Sequence, residues 1–209
     1  MIFFLWLIVN TCGRGEKSVI KSENDIIELI RKDAWMMKLL KTVKGLNLPD
    51  SWICAGFIRS KVWDTLHGYG ERTTLRDIDV IYYDAENLDE KIEKQLESTL
   101  VSLLPNVPWS VKNQARMHSR NRVAPYSSAI DAIAKFPETA TALGIKLDKN
   151  DNLVLIAPHG IIDVISLTVR PTPFFTANKE RIAVYQKRIQ QKNWKLTWNR
   201  LIITLHINE

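Results

Sequence analysis

Cysteine is scarce in this 209-residue chain, which has two, Cys12 and Cys54. They form neither a zinc spacing nor a framework of bridges, and a reducing cytoplasm suits them. Histidine is also thin. His159 and His206 stand isolated, so no zinc site is indicated. No Ser-His-Asp or Cys-His arrangement can be read, which sets aside the nucleophilic-triad enzymes. Long apolar runs are missing too. The strongly apolar start, Met1 to Asn10, is too short to span a bilayer. It lacks the cationic opening of a secretory signal, and no small-residue cleavage site follows. The expectation is a buried or disordered N-terminal extension over 1–21, ahead of a membrane-proximal anchor or a signal peptide. No repeat or low-complexity tract is visible.

What is present describes a globular chain. Apolar residues make up 45% and charged residues 25%, which argues against disorder. The length suits one compact domain with an appended helical segment. The net charge of +6 leans toward phosphates or nucleic acid. Its distribution says more. Acids dominate from Asp77 to Glu97. Lys112, Arg116, Arg120 and Arg122 follow with no acid between them. From Lys179 to Arg200 a basic run faces a lone Glu180. Such a run is either a solvated helix face or a phosphate-facing surface.

Periodicity predicts a helix over Ser22 to Lys44, with Ser22 or Asn24 as cap. A short strand over Trp52 to Ala55 runs into Gly56, and a helix over Arg59 to His67 ends at Gly68. A strand over Asp77 to Tyr83 and an amphipathic helix over Leu88 to Leu104 with an acidic outer face come next. Trp109 to Met117 reads as a strand. Ala129 to Phe136 reads as a helix, and Pro137 to Leu143 as a further short one. Leu153 to Ala157 and Ile161 to Val169 are β-rich, the second being compatible with helix. Lys179 to Trp198 is a basic helix. This order predicts an α/β (α+β) fold with a small mixed central sheet and flanking helices. The principal domain would run over 22–173, with 174–209 as a basic helical segment packed on it.

Three features carry chemistry. In Asp77-Ile78-Asp79 on a strand, the two acids share a face while Ile78 and Val80 point to the core. Paired carboxylates repel unless a cation lies between them, and hard oxygen ligands suit Mg2+ or Mn2+. Such a pair is also the pattern of a plain polar strand face. Second, Gly56-Phe57-Ile58-Arg59-Ser60 lies between a strand and a helix. There the backbone can approach a ligand and the helix start offers N–H groups to phosphate. Taken alone, this is equally an ordinary strand-to-helix turn. Third, the order of glycine turn, helix, loop and D-x-D would place a phosphate cradle beside a metal-binding face. Arg116 could pair bidentately with phosphate and His118 could shuttle protons. Trp63 and Trp109 read as core, and His67 as a cap or turn residue.

Gly56-Phe57-Ile58-Arg59-Ser60, Leu66-His67-Gly68 and Asp77-Ile78-Asp79 together resemble the head motif of the DNA polymerase β nucleotidyltransferase superfamily, in its CCA-adding and poly(A) polymerase form. From about Trp52 to Pro173 the chain is similar to a narrower group of bacterial nucleotidyltransferase-like proteins. Trp109-Ser110-Val111-Lys112-Asn113-Gln114 and Ala157-Pro158-His159-Gly160 are among the matching segments. The resemblance implies transfer of a nucleotide from an NTP to a hydroxyl of RNA, protein or a small molecule. It implies Asp77 and Asp79 as ligands of two Mg2+ ions, and Gly56, Arg59 and Ser60 around the β- and γ-phosphates. Ser60 stands where the motif has an aspartate. The resemblance also implies a third carboxylate from the 109–118 strand, at the position of Ser110. A serine cannot replace an anionic ligand, which leaves Asp163 as a candidate donor. The alternative is a nucleotide- or RNA-binding protein with a degenerate transferase site.

Overall fold

A computed structural model of the chain describes residues 20–205. The apolar start, Cys12 and His206 lie outside the described residues. The centre is a five-stranded mixed sheet of β1 (Trp52–Cys54), β2 (Ile78–Tyr82), β3 (Trp109–Asn113), β4 (Gly144–Leu147) and β5 (Leu153–Ile156), in the order β3-β2-β1-β4-β5. β2 and β3 are parallel and the other pairings antiparallel. This is the small mixed sheet with flanking helices that the element order predicts.

Alternation along the strands divides two cores. Ile53, Ile78, Val80 and Val111 enter the larger one, beneath α1 (Glu23–Arg31), α2 (Ala34–Lys44), α3 (Gly56–His67) and α4 (Glu90–Leu103). Trp52, Cys54 and Ile81 enter a smaller one, against α6 (Ala129–Ala134). Asp79, between Val80 and Ile78 in β2, therefore projects on the thinly covered face.

Several boundaries differ from the periodicity. The single helix expected over Ser22 to Lys44 is two. Ser22 caps α1 in a capping box with Asp25, and Asp33 caps α2 through a bond from the Met36 amide. Periodicity runs through this break because both helices bury one continuous face. The strand expected to reach Met117 stops at Asn113, whose side chain accepts from the Ala115 amide and starts α5 (Gln114–Asn121). The helix expected over Pro137 to Leu143 is a turn, with Glu138 bridging to Pro171. Ile161 to Val169 divides into α7 (Ile162–Ile165) and β6 (Thr168–Val169), the latter paired with β7 (Ile202–Ile203). Beyond α8 (Pro173–Thr176), α9 (Lys179–Lys192) ends at Asn193 in the left-handed region, followed by a 3-10 turn over Trp194–Leu196.

That last segment is tied to α3. The Trp63 ring meets the edges of Trp194 and Trp198 at centroid distances of 5.5 and 5.1 Å. Such pairs contribute roughly 0.5–1.5 kcal/mol each beyond their burial. The Trp198 indole donates to Asp64 on α3 at 2.8 Å. Three tryptophans thus hold the chain's C-terminal part against the helix that starts at Gly56.

Candidate functional site

The glycine turn is a strained elbow. Ala55 joins β1 to α3 at φ 57°, a region costly for a residue with a Cβ. Its amide bonds the Leu143 carbonyl, which over-determines the conformation. Ala55 gives α3 no side-chain cap. Gly56 opens the helix and lines a cavity of about 500 Å³ with Arg59, Ser60, Arg76, Asp77, Lys192 and Trp194 among its walls. A Cβ at Gly56 would contact only the Arg59 guanidinium at 3.5 Å and Leu75 at 4.0 Å, so glycine here leaves cavity space rather than averting a backbone clash.

Arg59 forms the floor. It is 7% exposed, donates to the Thr141 hydroxyl at 3.1 Å, and has an Nε with no partner among the described residues. Its guanidinium sits 4.3 Å from the Trp194 ring centroid and 5.1 Å from that of Trp63. Burial pulls its pKa down to about 10, against the fields of Glu138, Asp79 and Asp77, so it stays cationic at neutral pH. Lys192 brings a second cation from α9. Burial lowers its pKa first and Arg188 adds to this, with Asp77 and Asp79 opposing.

Asp77 lies one residue before β2, exposed on the cavity wall. Asp79 is more covered, and burial followed by the charge of Asp77 pushes its pKa up to about 6. Neither side chain has a hydrogen bond or an ion pair among the described residues. Apart from Asp79, the acids that the fold encloses all do. Glu93 holds Arg116 and the Asn113 amide, Asp163 holds Arg170 and Thr139, and Glu138 holds Arg188. Asp64 takes Trp198 and Thr73, and Asp33 takes Lys61 and Arg72.

Gly56, Arg59, Ser60 and Asp77 are therefore brought together at one cavity, with Asp79 electrostatically coupled to it. Arg116 is placed elsewhere. It sits on α5 with its guanidinium bidentate on Glu93, at 3.1 and 2.9 Å, and does not line the cavity. His118 bonds the Ala115 carbonyl on the same helix. Asp163 has both oxygens on Arg170, at 2.7 and 2.6 Å. In the β2–β3 register Ser110 stands opposite Asp79. Among the described residues, no group of three or more His, Cys, Asp or Glu could hold a metal ion.

Sequence reasoning missed Lys192 and Trp194. The signal available was the i, i+4 spacing of Arg188 and Lys192 in the basic run, which places both on one helix face. The acidic outer face expected of the Leu88 to Leu104 helix does not include Glu93. Glu93 is 0% exposed, and its partners Asn113 and Arg116 come from the following strand and helix, beyond the reach of helical spacing.

An unmatched acid pair beside a cation-floored cavity, at the start of a helix after a glycine turn, marks an α/β protein of the phosphate-handling class. The chain belongs to the nucleotidyltransferase family, whose model matches residues 41–203. It is similar to a structure described as revealing a CCA-adding enzyme head domain. That similarity has 35% identity and a TM-score of 0.82, covering 90% of this chain and 99% of the other. A CCA-adding enzyme in complex with CTP shares the fold at 14% identity and a TM-score of 0.53, over 89% of this chain. The present chain spans 44% of that enzyme. No curated protein matches the chain. Among the described residues, no helix is long and apolar enough to cross a membrane.

Proposed function

We propose that the chain transfers a nucleotide from an NTP to a hydroxyl acceptor, with a divalent cation held at Asp77 and Asp79. One observation carries this reading: Asp77, on the wall of the cavity that Gly56 opens, and its half-buried strand neighbour Asp79 have no hydrogen-bond or ion-pair partner among the described residues. The donor set fits a hard cation, since two ionised carboxylates with no protein cation within ion-pair distance keep all their lone pairs available. Mg2+ or Mn2+ bound there would supply charge neutralisation at the transferring phosphate.

The chain's own groups do the rest. The uncapped start of α3 at Gly56 presents backbone amides to the triphosphate, and Ser60 adds a hydroxyl. Arg59, packed against two indole rings, supplies a positive charge that needs no reorganisation when negative charge develops. Lys192 closes the opposite wall and offsets the phosphate charge. Fixing donor and acceptor in this order supplies the proximity term of catalysis. The test is incorporation of labelled NTP in the presence of Mg2+. Loss of signal in Asp77→Ala is the expected result, and unchanged incorporation would end the proposal.

Ser110 favours a second reading. Opposite Asp79 it contributes a hydroxyl and no anionic ligand. On that reading the protein binds nucleotide without transferring it. Saturable NTP binding by calorimetry, with no labelled product from RNA, protein or small-molecule acceptors, would establish this alternative.

A further inference from the structure

A second pocket of about 350 Å³ lies toward the N-terminal part of α9, walled by α5, α8, α9 and the turn after α6. Its walls combine an aromatic set with cations and an amide. Phe174 and Tyr126 supply rings, Lys135, Arg181 and Arg188 supply charge, and Gln114 supplies a buried carboxamide. No acidic side chain is among its lining residues. The cations are already organised on the rings. The Arg181 guanidinium lies 3.8 Å from the Phe174 centroid, and the Lys135 ammonium 5.2 Å from that of Tyr126. The Gln114 amide nitrogen makes one bond, at 3.5 Å to the Lys112 carbonyl, and nothing donates to its oxygen among the described residues.

We infer that this pocket is a nucleotide subsite, which receives the end of a single-stranded RNA acceptor. A base stacks on the exposed side of the Arg181 guanidinium, itself stacked on Phe174, a surface every base can use. Gln114 meets the base edge with an acceptor and a donor. Lys135 and Arg188 meet phosphate, although Asp131 and Glu138 neutralise part of their charge. The geometry links this pocket to the carboxylate cavity. Arg181, Arg188 and Lys192 follow one stripe of α9. The first two line this pocket, and Lys192 lines the other. Eleven residues of helix separate the ends of that stripe, about 16 Å at 1.5 Å per residue. A chain of nucleotides follows such a stripe, whereas one mononucleotide does not span it. The assignment deepens the proposed function by giving its acceptor a class, and it rests on that reading for its direction toward Asp77 and Asp79.

The experiment measures binding of a short fluorescein-labelled single-stranded RNA by anisotropy. It contains EDTA and no NTP, so a failure of the transferase reading does not disturb it. Binding of ATP with Mg2+ is followed in parallel by thermal shift. Arg181→Gln should weaken RNA binding several-fold, as loss of the cationic stacking platform does. Phe174→Ala should weaken RNA binding about tenfold or more, as loss of one stacked base does. Neither variant should change ATP binding. Absence of RNA binding by the native chain overturns the inference. So does equal RNA affinity in the native chain and Arg181→Gln, which is the arm that stands if Phe174→Ala fails to fold. Loss of ATP affinity in both variants with RNA binding intact assigns the pocket to the incoming NTP and overturns the acceptor assignment.

Discussion

Replacing Asp79 by asparagine should stabilise the metal-free protein while removing its response to Mg2+. Burial and the charge of Asp77 push the Asp79 pKa up to about 6, against an ordinary value of 3.8. A rise of roughly two units is worth about 3 kcal/mol against the ionised form, as an upper bound. The sign follows from linkage. A carboxyl whose folded pKa is raised binds its proton more tightly in the native state. The protein therefore loses stability as pH rises from the unfolded value through the folded one, and by neutral pH the whole penalty is present. Asparagine keeps the shape and removes the charge. At neutral pH in EDTA, Asp79→Asn should melt roughly 2–8 °C higher, taking a gain of about 1–2 kcal/mol and the slope expected for a chain of this size. At about pH 4, where aspartate is largely protonated in the fold, most of that gap should close. Mg2+ at neutral pH should raise the melting temperature of the native chain, because it binds the folded state alone, and leave the variant unmoved. Thermal unfolding followed by circular dichroism, at both pH values, with and without Mg2+, reads all of this. A variant less stable than the native chain in EDTA at neutral pH would refute the argument, since it would mean that Asp79 makes a stabilising contact.

Three other substitutions separate site from scaffold. Glu93→Ala leaves Arg116 and the Asn113 amide without their acceptor and should cost about 3–5 kcal/mol in urea unfolding, as breaking a buried pair does. Gly144→Ala drives a Cβ to 2.9 Å from the Ile133 Cδ1 and 3.0 Å from the Ile156 Cγ1, so a loss of about 1–3 kcal/mol is expected from the same assay. Gly56→Ala meets only ordinary contacts, so its unfolding midpoint should stay within about 0.5 kcal/mol of native while its methyl group, placed in the cavity, weakens ATP binding by calorimetry.

The acid pair, the glycine turn and the residues joining them were legible because each depends on short spacing. A strand step fixes Asp79 relative to Val80 and Ile81, and a glycine between strand and helix fixes where the cavity opens. What was not legible depends on partners distant in sequence. Arg116 is a phosphate ligand by composition, and Glu93, 23 residues earlier, claims it through two hydrogen bonds. Asp163 is a candidate metal ligand by composition, and Arg170 takes both its oxygens. The break at Asp33 is hidden because Arg72 and Lys61, from the loop after α3 and from α3 itself, reward an acid there. β4 was missed because Gly144–Leu147 is short and begins at a glycine kept small by Ile133 and Ile156.

The fold's treatment of its acids gives the site reading its physical force. An enclosed carboxylate without a partner is costly, and this chain avoids that cost at Asp33, Asp64, Glu93, Glu138 and Asp163 by supplying arginine, lysine, indole or hydroxyl donors. It supplies none to the half-buried Asp79, although Arg59, Arg188 and Lys192 are near enough to influence it electrostatically, and none to the exposed Asp77. Arg59 is instead packed against the Trp63 and Trp194 indoles and bonded to Thr141, and Arg188 is bonded to Glu138. Two of those three cations are tethered elsewhere, and Lys192 offsets only part of the repulsion between the two acids. On the proposed reading, a cation arriving from solution relieves that repulsion.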